Sequence, residues 1–198
     1  MKYTKYFENI PTIKLYDDLS EFLGASDDGI IEFSYADIVK SAGHSCATVA
    51  GAYIMAMEGL KVLYPDSLPK RGKIKVELNK DTKVDNTGVV GFVLSIITGA
   101  TTDFGFGGIP TGKFNRRDTL SFNIDMEYNV AFTDIETNKK VCVKYMPKKV
   151  VDPMSILKSA IKPDATQEDI ESFPQRFQDM VKTVFANIDT VIEVVECK

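Results

Sequence analysis

The chain has 198 residues, 44% of them hydrophobic and 26% charged, with a formal net charge of -4 and a pI near 5.1. This size and composition suit a globular protein that buries a sizeable core, and they exclude a disordered chain. No apolar run reaches the ~18 residues of a membrane span, and the acidic balance disfavours nucleic acid, which needs clustered Lys and Arg. We therefore expect small molecules, metals or proteins as partners, with no membrane and no nucleic acid.

Four elements are predicted ahead of residue 65. Leucines at four-residue steps over residues 15–23 predict a short helix that ends before Gly24. The apolar run 30–33 predicts a strand, and residues 35–40 predict a short helix. Small and apolar residues at three- and four-residue steps predict a longer helix over 47–64, whose small first half allows a close neighbour.

The middle of the chain predicts a strand, an apolar element and a loop. Residues 73–78 alternate charged and apolar side chains, which is typical of a half-buried strand. The run 88–97 is nearly all apolar; its length favours a helix, while its β-branched residues leave a buried strand as the alternative. The glycine-rich segment 98–113 is predicted to be a loop.

The last third predicts a meander of strands followed by helices. Strands are predicted over 120–122, 126–134 and 139–146, the last two joined by a hairpin turn. Two helices follow, at 154–160 and 166–186, the second capped by its first residue and kinked or split at its proline.

This order of elements favours an α+β fold, a mostly antiparallel sheet packed with helices, over a doubly wound parallel sheet. We expect a single domain over residues 1–198, with its core at about 30–150 and a C-terminal helical extension at about 153–190. Two smaller domains are the alternative that this length allows.

One triplet stands out chemically. His44 is the only histidine, and Cys46 lies two residues after it. Both side chains bind zinc and similar metals, and a turn at a helix start directs both to one side. A satisfied histidine beside a small buried thiol explains the pair equally well. Because a structural zinc site needs four ligands, we expect an open site or one completed by another chain.

The cysteines also bear on the compartment. Cys142 falls in a predicted strand and Cys197 at a frayed C-terminus, so the three cysteines form no pattern. The first residues lack the apolar segment and the cleavage site of a secretory signal. Together these features predict a reducing cytoplasm.

The glycine-rich loop matches the first seven positions of a phosphate-binding P-loop at residues 107–113. Phe114 replaces the Ser or Thr that holds magnesium, Pro110 removes one amide, and no helix follows. We therefore interpret the loop as a flexible or ligand-covering segment, in which paired arginines either grip an anion or form a solvated surface. Its candidate ligand-binding residues are Thr98, Gly99, Gly107, Gly108, Lys113, Arg116 and Arg117.

The acidic pairs 17–18 and 27–28 are explained by turns and caps.

Residues 42–53, which read Ala-Gly-His-Ser-Cys-Ala-Thr-Val-Ala-Gly-Ala-Tyr, resemble the GHxCPGxxxGxR opening of the E-subunit family of formylmethanofuran dehydrogenase. Residues 96–101 resemble its LTGCT segment, and Gly112-Lys113 is similar to its GK pair before a strand. The resemblance spans roughly residues 35–125, with the motifs in the right order and spacing.

The resemblance implies an α+β domain, frequently dimeric, with a metal, often zinc, near the HxC motif and no settled reaction for stand-alone members. His44 and Cys46 match the family's metal ligands. The cysteine of the LTGCT segment is Ala100 here, the proline after the motif cysteine is Ala47, and the zinc-ribbon tail is absent.

Three hypotheses follow. In the first, His44 and Cys46 bind zinc or another divalent transition metal, with water or substrate at an open position and the loop 105–113 over the site. Such a protein is a small redox or hydrolytic enzyme or an accessory protein, and a homodimer is possible. In the second, the chain is a non-catalytic ligand-binding or subunit-type protein. In the third, Cys46 is a nucleophile paired with His44.

Overall fold

The N-terminal segment forms a two-stranded hairpin. The computed structural model that shows it describes residues 3–197. Strand β1 (Ile13–Tyr16) pairs with strand β2 (Ile30–Phe33) in antiparallel register, and helix α1 (Asp18–Phe22) lies between them. A 3-10 helix, Lys5–Asn9, precedes the hairpin. The predicted helix therefore does end before Gly24, and the strand at 30–33 is confirmed.

The helical interpretation of Leu15 was wrong. Leu15 lies in β1, where it is fully buried, as Ile13 nearly is, while Lys14 between them is exposed. Burial therefore alternates with the strand period of two, and pairing with β2 overrides the four-residue leucine spacing.

Helices α2 (Tyr35–Ala42) and α3 (Ala47–Leu63) confirm the next two predictions. Ser34 and Asp37 form a reciprocal capping box that starts α2, and Gly43 ends it in the left-handed conformation. Helix α3 is buried on most of its circumference, which its many small residues permit.

A five-stranded sheet forms the centre of the molecule. Its order is β4-β3-β5-β6-β7, and every neighbouring pair is antiparallel except β3 with β4. The predicted strands are confirmed but shorter: β3 and β5 begin later than predicted, β4 ends one residue earlier, and β6 loses one residue at each end. Their bounds are β3 (Ile74–Leu78), β4 (Leu120–Ser121), β5 (Val130–Asp134), β6 (Lys140–Tyr145) and β7 (Ile192–Cys197).

Strand β7 was not predicted, because the C-terminus was expected to fray. It pairs with β6 along six residues, and Cys197 forms a disulfide with Cys142 across the two strands. The cysteines thus do form a pattern in space, which removes one of the two features from which a reducing compartment was inferred.

The remaining helices are α4 (Thr87–Thr98), α5 (Pro153–Ile161), α6 (Gln167–Ala186) and α7 (Ile188–Val191). The apolar run 88–97 is therefore helical, as favoured. Helix α6 is capped by Thr166 as predicted, but it continues through Pro174 and is not split. Among residues 3–197, no helix is both long and apolar enough to cross a membrane.

The fold is α+β. Helix α3 packs across β5, β6 and β7, and α4 packs against β3. The side chains between them, such as Phe132 and Val143, have no exposed surface. On the opposite face, Glu77 accepts hydrogen bonds from Lys75 at 2.9 Å and Lys140 at 2.8 Å. The helices therefore cover one face of the sheet, and the other face carries the charged side chains Lys75, Glu77 and Lys140.

Gly59 lets α3 approach the sheet closely. A Cβ atom at this position would lie 2.8 Å from the ring of Phe132 and 3.0 Å from Val143. We expect Gly59→Ala to lower the free energy of unfolding, because overpacking of about 1–3 kcal/mol outweighs the ~1 kcal/mol gain in helix propensity. Urea unfolding followed by circular dichroism measures this change.

Two comparisons make that result specific. Lys61→Ala, on the exposed side of the same helix, should change stability by less than about 0.5 kcal/mol. In a Phe132→Leu background the cost of Gly59→Ala should shrink, since the ring that it meets is gone. A gain in stability from Gly59→Ala would show that the helix and sheet do not meet this closely.

Candidate functional site

The His44–Cys46 turn connects α2 to α3. His44 is exposed, and its Nδ1 lies 3.1 Å from the carbonyl oxygen of Ala42. Cys46 is half-buried at the N-cap of α3, where its Sγ accepts a hydrogen bond from the backbone N–H of Val49 at 3.4 Å. The turn thus presents an accessible imidazole and, at the start of a helix, a thiol that is not part of a disulfide.

Phenol groups hold this turn in place. The Tyr35 hydroxyl and Ser45 Oγ are 2.9 Å apart, and Tyr145 donates to the carbonyl oxygen of Ala47 at 2.8 Å. Burial raises the pKa of Tyr6 to about 12 and raises the pKa of Tyr35 and Tyr145 further above the ordinary value. All three tyrosines therefore stay protonated near neutral pH. Tyr35 and Tyr145 support the turn directly, and Tyr6 does so through Gln178, which accepts from its hydroxyl and donates to the carbonyl oxygen of Ser45.

Further metal ligands do not join the turn within the described part of the chain. Over residues 3–197, no group of three or more His, Cys, Asp or Glu side chains is arranged to hold a metal ion. Asn86, at the start of α4, donates a hydrogen bond to Thr48 at 3.1 Å, so this end of the helix lies near Cys46. Ala100 follows the other end of α4, and the two ends of this twelve-residue helix are about 18 Å apart. A thiolate at position 100 would thus lie away from His44 and Cys46 within one chain.

The glycine-rich loop divides between two environments. Gly99 and Arg116 line a cleft, together with Thr101 and Phe106. Thr98 is buried and donates to the carbonyl oxygen of Leu94 at 2.7 Å. The remaining candidates lie on the exposed or half-exposed part of the loop: Gly107, Gly108, Lys113 and Arg117. Within the part of the chain that the structure describes, no hydrogen bond joins this loop to the His44–Cys46 turn.

A buried ion cluster forms the floor of that cleft. Asp17 receives hydrogen bonds from Arg116 Nη2 at 2.7 Å and from Arg71 Nη1 at 2.8 Å, and its side chain is 3% exposed. It also caps α1, accepting from the backbone N–H groups of Leu19 and Ser20 at 3.1 Å. The cap was predicted from the sequence, but the two arginine partners were not.

The two arginines lower the pKa of the Asp17 carboxyl group. Burial alone would raise the pKa of Asp17, but the hydrogen bonds from Arg116 and Arg71 outweigh it and hold the pKa below its ordinary value. Burial lowers the pKa of Arg71, an effect that Asp17 partly offsets. The carboxylate is therefore charged at neutral pH, and so are both guanidinium groups.

The cleft above the cluster has a volume of about 450 Å³. Its walls come from α1, β2, the end of α4 and the loop, and they are largely apolar, with the hydroxyls of Ser20 and Ser95 added. The apolar wall residues are Leu19, Leu23, Ala25, Ile31 and Phe106. Phe22 and Phe114 join α1 to the loop beside the cleft, with ring centroids 5.2 Å apart. The arrangement suits a small ligand with an apolar body and a polar group at the floor.

Comparison with solved structures gives a distant likeness of fold. No protein-family model matches the chain, and no curated protein matches it. A crystal structure from Syntrophus aciditrophicus, described as a protein like the E subunit of tungsten formylmethanofuran dehydrogenase, is similar over 84% of this chain and 73% of that one. The identity is 13% and the TM-score 0.44, so the relationship is a distant one of fold alone.

Asp17→Asn tests the ion cluster. Asparagine still caps α1, but the buried guanidinium of Arg116 and the half-buried one of Arg71 lose their counter-charge, so we expect the free energy of unfolding at pH 7 to fall by about 3 kcal/mol or more. Because the folded-state pKa lies below the unfolded one, the carboxylate's contribution is complete above about pH 4 and is lost as the pH falls through the folded value.

Urea unfolding at pH values from 7 to 3 therefore compares the wild type with Asp17→Asn. The difference between the two should narrow below about pH 4. Asp27→Asn, an exposed neighbour in the same hairpin, should behave like the wild type throughout. A difference that is small at pH 7, or that does not depend on pH, would contradict the cluster.

Proposed function

We propose that this protein is a small-molecule-binding protein whose ligand occupies the cleft above Asp17, Arg71 and Arg116. The observation that carries the proposal is the combination of apolar walls with a buried charged floor in one concave site. Three chain segments far apart in sequence meet there, and all the groups that shape the site belong to one chain.

The rigidity of the floor supports this function. Arg71 donates to the carbonyl oxygens of Ile96 and Ile97 at 2.9 and 3.1 Å, so the end of α4 is fixed against the start of β3. Gly99 ends α4 in the left-handed conformation, and a Cβ atom there would lie 2.4 Å from Arg116 Nη1. The floor is therefore held in place before any ligand arrives, which reduces the entropy that binding must overcome.

A tryptophan reporter tests the proposal, because the chain contains no tryptophan. Leu23→Trp places the single indole on the cleft wall, and Ile161→Trp places one on exposed α5 as the matched control. Both variants are titrated with a panel of small charged and neutral molecules, including benzoate, benzamide and hexanoate, up to about 10 mM, which saturates sites with a Kd near 1 mM.

We expect at least one compound to change the emission of Leu23→Trp and to leave that of Ile161→Trp unchanged. Ligand-observed NMR on the wild-type protein, with the same compound, should show binding without the reporter. If no compound acts on the cleft reporter, or every response appears equally in both variants, the cleft is not a binding site.

We propose a second candidate function, metal binding at His44 and Cys46, which the resemblance of residues 42–53 to the E-subunit family of formylmethanofuran dehydrogenase suggests. One contact favours it. With Nδ1 directed to the carbonyl oxygen of Ala42, Nε2 is left for a metal, which is how ligating histidines are commonly oriented. Zinc or another divalent metal would need its further ligands from water, a substrate or a second copy of the chain.

Elemental analysis of protein purified without an affinity tag or chelator tests this candidate. We expect near-stoichiometric zinc, iron or nickel in the wild type and its loss in His44→Ala and Cys46→Ser. Ser45→Ala, in the same turn, should keep the metal. A wild type that stays metal-free after reconstitution, or variants that retain the metal, would rule out this site.

A further inference from the structure

The floor of the cleft carries more positive than negative charge. Two guanidinium groups meet one carboxylate, so the cluster has a formal charge of +1. The carbonyl oxygens at the end of α4 that bind Arg71 offset part of this, since a helix C-terminus is equivalent to about half a negative charge. The cleft floor therefore keeps a net positive charge, and because the site is buried, water screens this charge less than it would at the surface.

The hydrogen-bond donors of the two arginines are used unequally. Arg71 places a donor on Asp17, Ile96 and Ile97, so each of its three nitrogens is bonded. Arg116 bonds Asp17 through Nη2 alone, and its Nε and Nη1 find no partner among residues 3–197 although the side chain is 6% exposed. Buried donors are usually paired, so Arg116 retains unused capacity for a negatively charged acceptor.

The unused donors lie beside the floor of the cleft. A Cβ atom built on Gly99 would meet Nη1 at 2.4 Å, and one built on Gly72 would meet the guanidinium at 2.5 Å. Gly99 itself lines the cleft. The two glycines thus let the guanidinium pack directly against the backbone, at positions where any other residue would collide with it. Arg116 therefore reaches the lining of the cleft with two N–H-bearing nitrogens that have no partner.

We propose that the ligand of the cleft is a monocarboxylate with an apolar body, whose carboxylate lies at the floor beside Arg116. This inference rests on the proposed function and specifies the ligand for the same site. One negative charge matches the net positive charge of the floor, and a carboxylate accepts the N–H groups that Arg116 has free. The apolar body contacts the walls, among them Leu19, Ile31 and Phe106.

Benzoate and benzamide provide the test, because they have nearly the same shape and differ in charge. Both are titrated into Leu23→Trp, and again into Leu23→Trp carrying Arg116→Lys, which keeps a positive charge near Asp17 and removes Nη1. Arg176→Lys is the matched control, since it makes the same change on α6 among Ser159, Asp169 and Ser172. Circular dichroism confirms that each variant is folded.

We expect benzoate to bind about tenfold or more tightly than benzamide, the usual effect of a hydrogen bond to a charged group. Arg116→Lys should reduce the preference to about threefold or less, and Arg176→Lys should leave it unchanged. Inorganic phosphate, which has no apolar body, should not displace benzoate at equal concentration. The ligand comparison in Leu23→Trp alone remains decisive if Arg116→Lys does not fold.

Two outcomes would overturn the inference. If benzamide, or another neutral compound, binds the cleft as tightly as benzoate, the site binds ligands but does not select a carboxylate, and the proposed function survives. If phosphate displaces benzoate, the site selects small anions and the apolar body has no role. Failure of every compound on the cleft reporter would instead refute the proposed function itself.

Discussion

The carboxylate of Asp17 is the contact on which the arrangement of the candidate site depends. It joins residue 17 to residues 71 and 116, which places the N-terminal hairpin, the start of β3 and the end of the glycine-rich loop against one another. Burying a lone carboxylate is strongly unfavourable, so the position is stable only because two guanidinium groups and two backbone N–H groups surround it. The position of the N-terminal hairpin and the charge of the cleft floor therefore depend on the same contact.

A second constraint is the close approach of α3 to the sheet. Gly51 leaves space for the ring of Tyr145, which a Cβ atom would meet at 2.2 Å, and Gly59 does the same for Phe132. The position of that Tyr145 ring lets its hydroxyl reach the carbonyl oxygen of Ala47, one residue after Cys46. The packing of the core thus extends directly into the His44–Cys46 turn, and the small residues that the sequence shows after the turn are explained by the sheet beneath them.

The predictable parts of the fold are those whose signals are local. The helix at 47–63 and the β5–β6 hairpin have their periodicity, caps and turn within one segment, so the sequence alone indicates them. Strand β7 has no such signal, because its six residues become a strand only by pairing with β6, about fifty residues earlier. For the same reason the cap role of Asp17 was predictable and its bonds to Arg71 and Arg116 were not, since a guanidinium partner 99 residues away leaves no trace in spacing. Arg116 appeared as a candidate only through its place in the loop.

The two candidate sites lie at opposite ends of α4. The start of this helix bonds Thr48, close to Cys46, and its last carbonyl groups bond Arg71 at the cleft floor. A helix of twelve residues separates these ends by about 18 Å, more than one small ligand in the cleft spans. A metal at His44 and Cys46 would therefore not touch a molecule bound beside Arg116 in the same chain, and the two functions are independent. We rank the cleft first because its walls, charge and hydrogen-bond donors all come from one chain, whereas a metal at the His44–Cys46 turn needs further ligands from elsewhere.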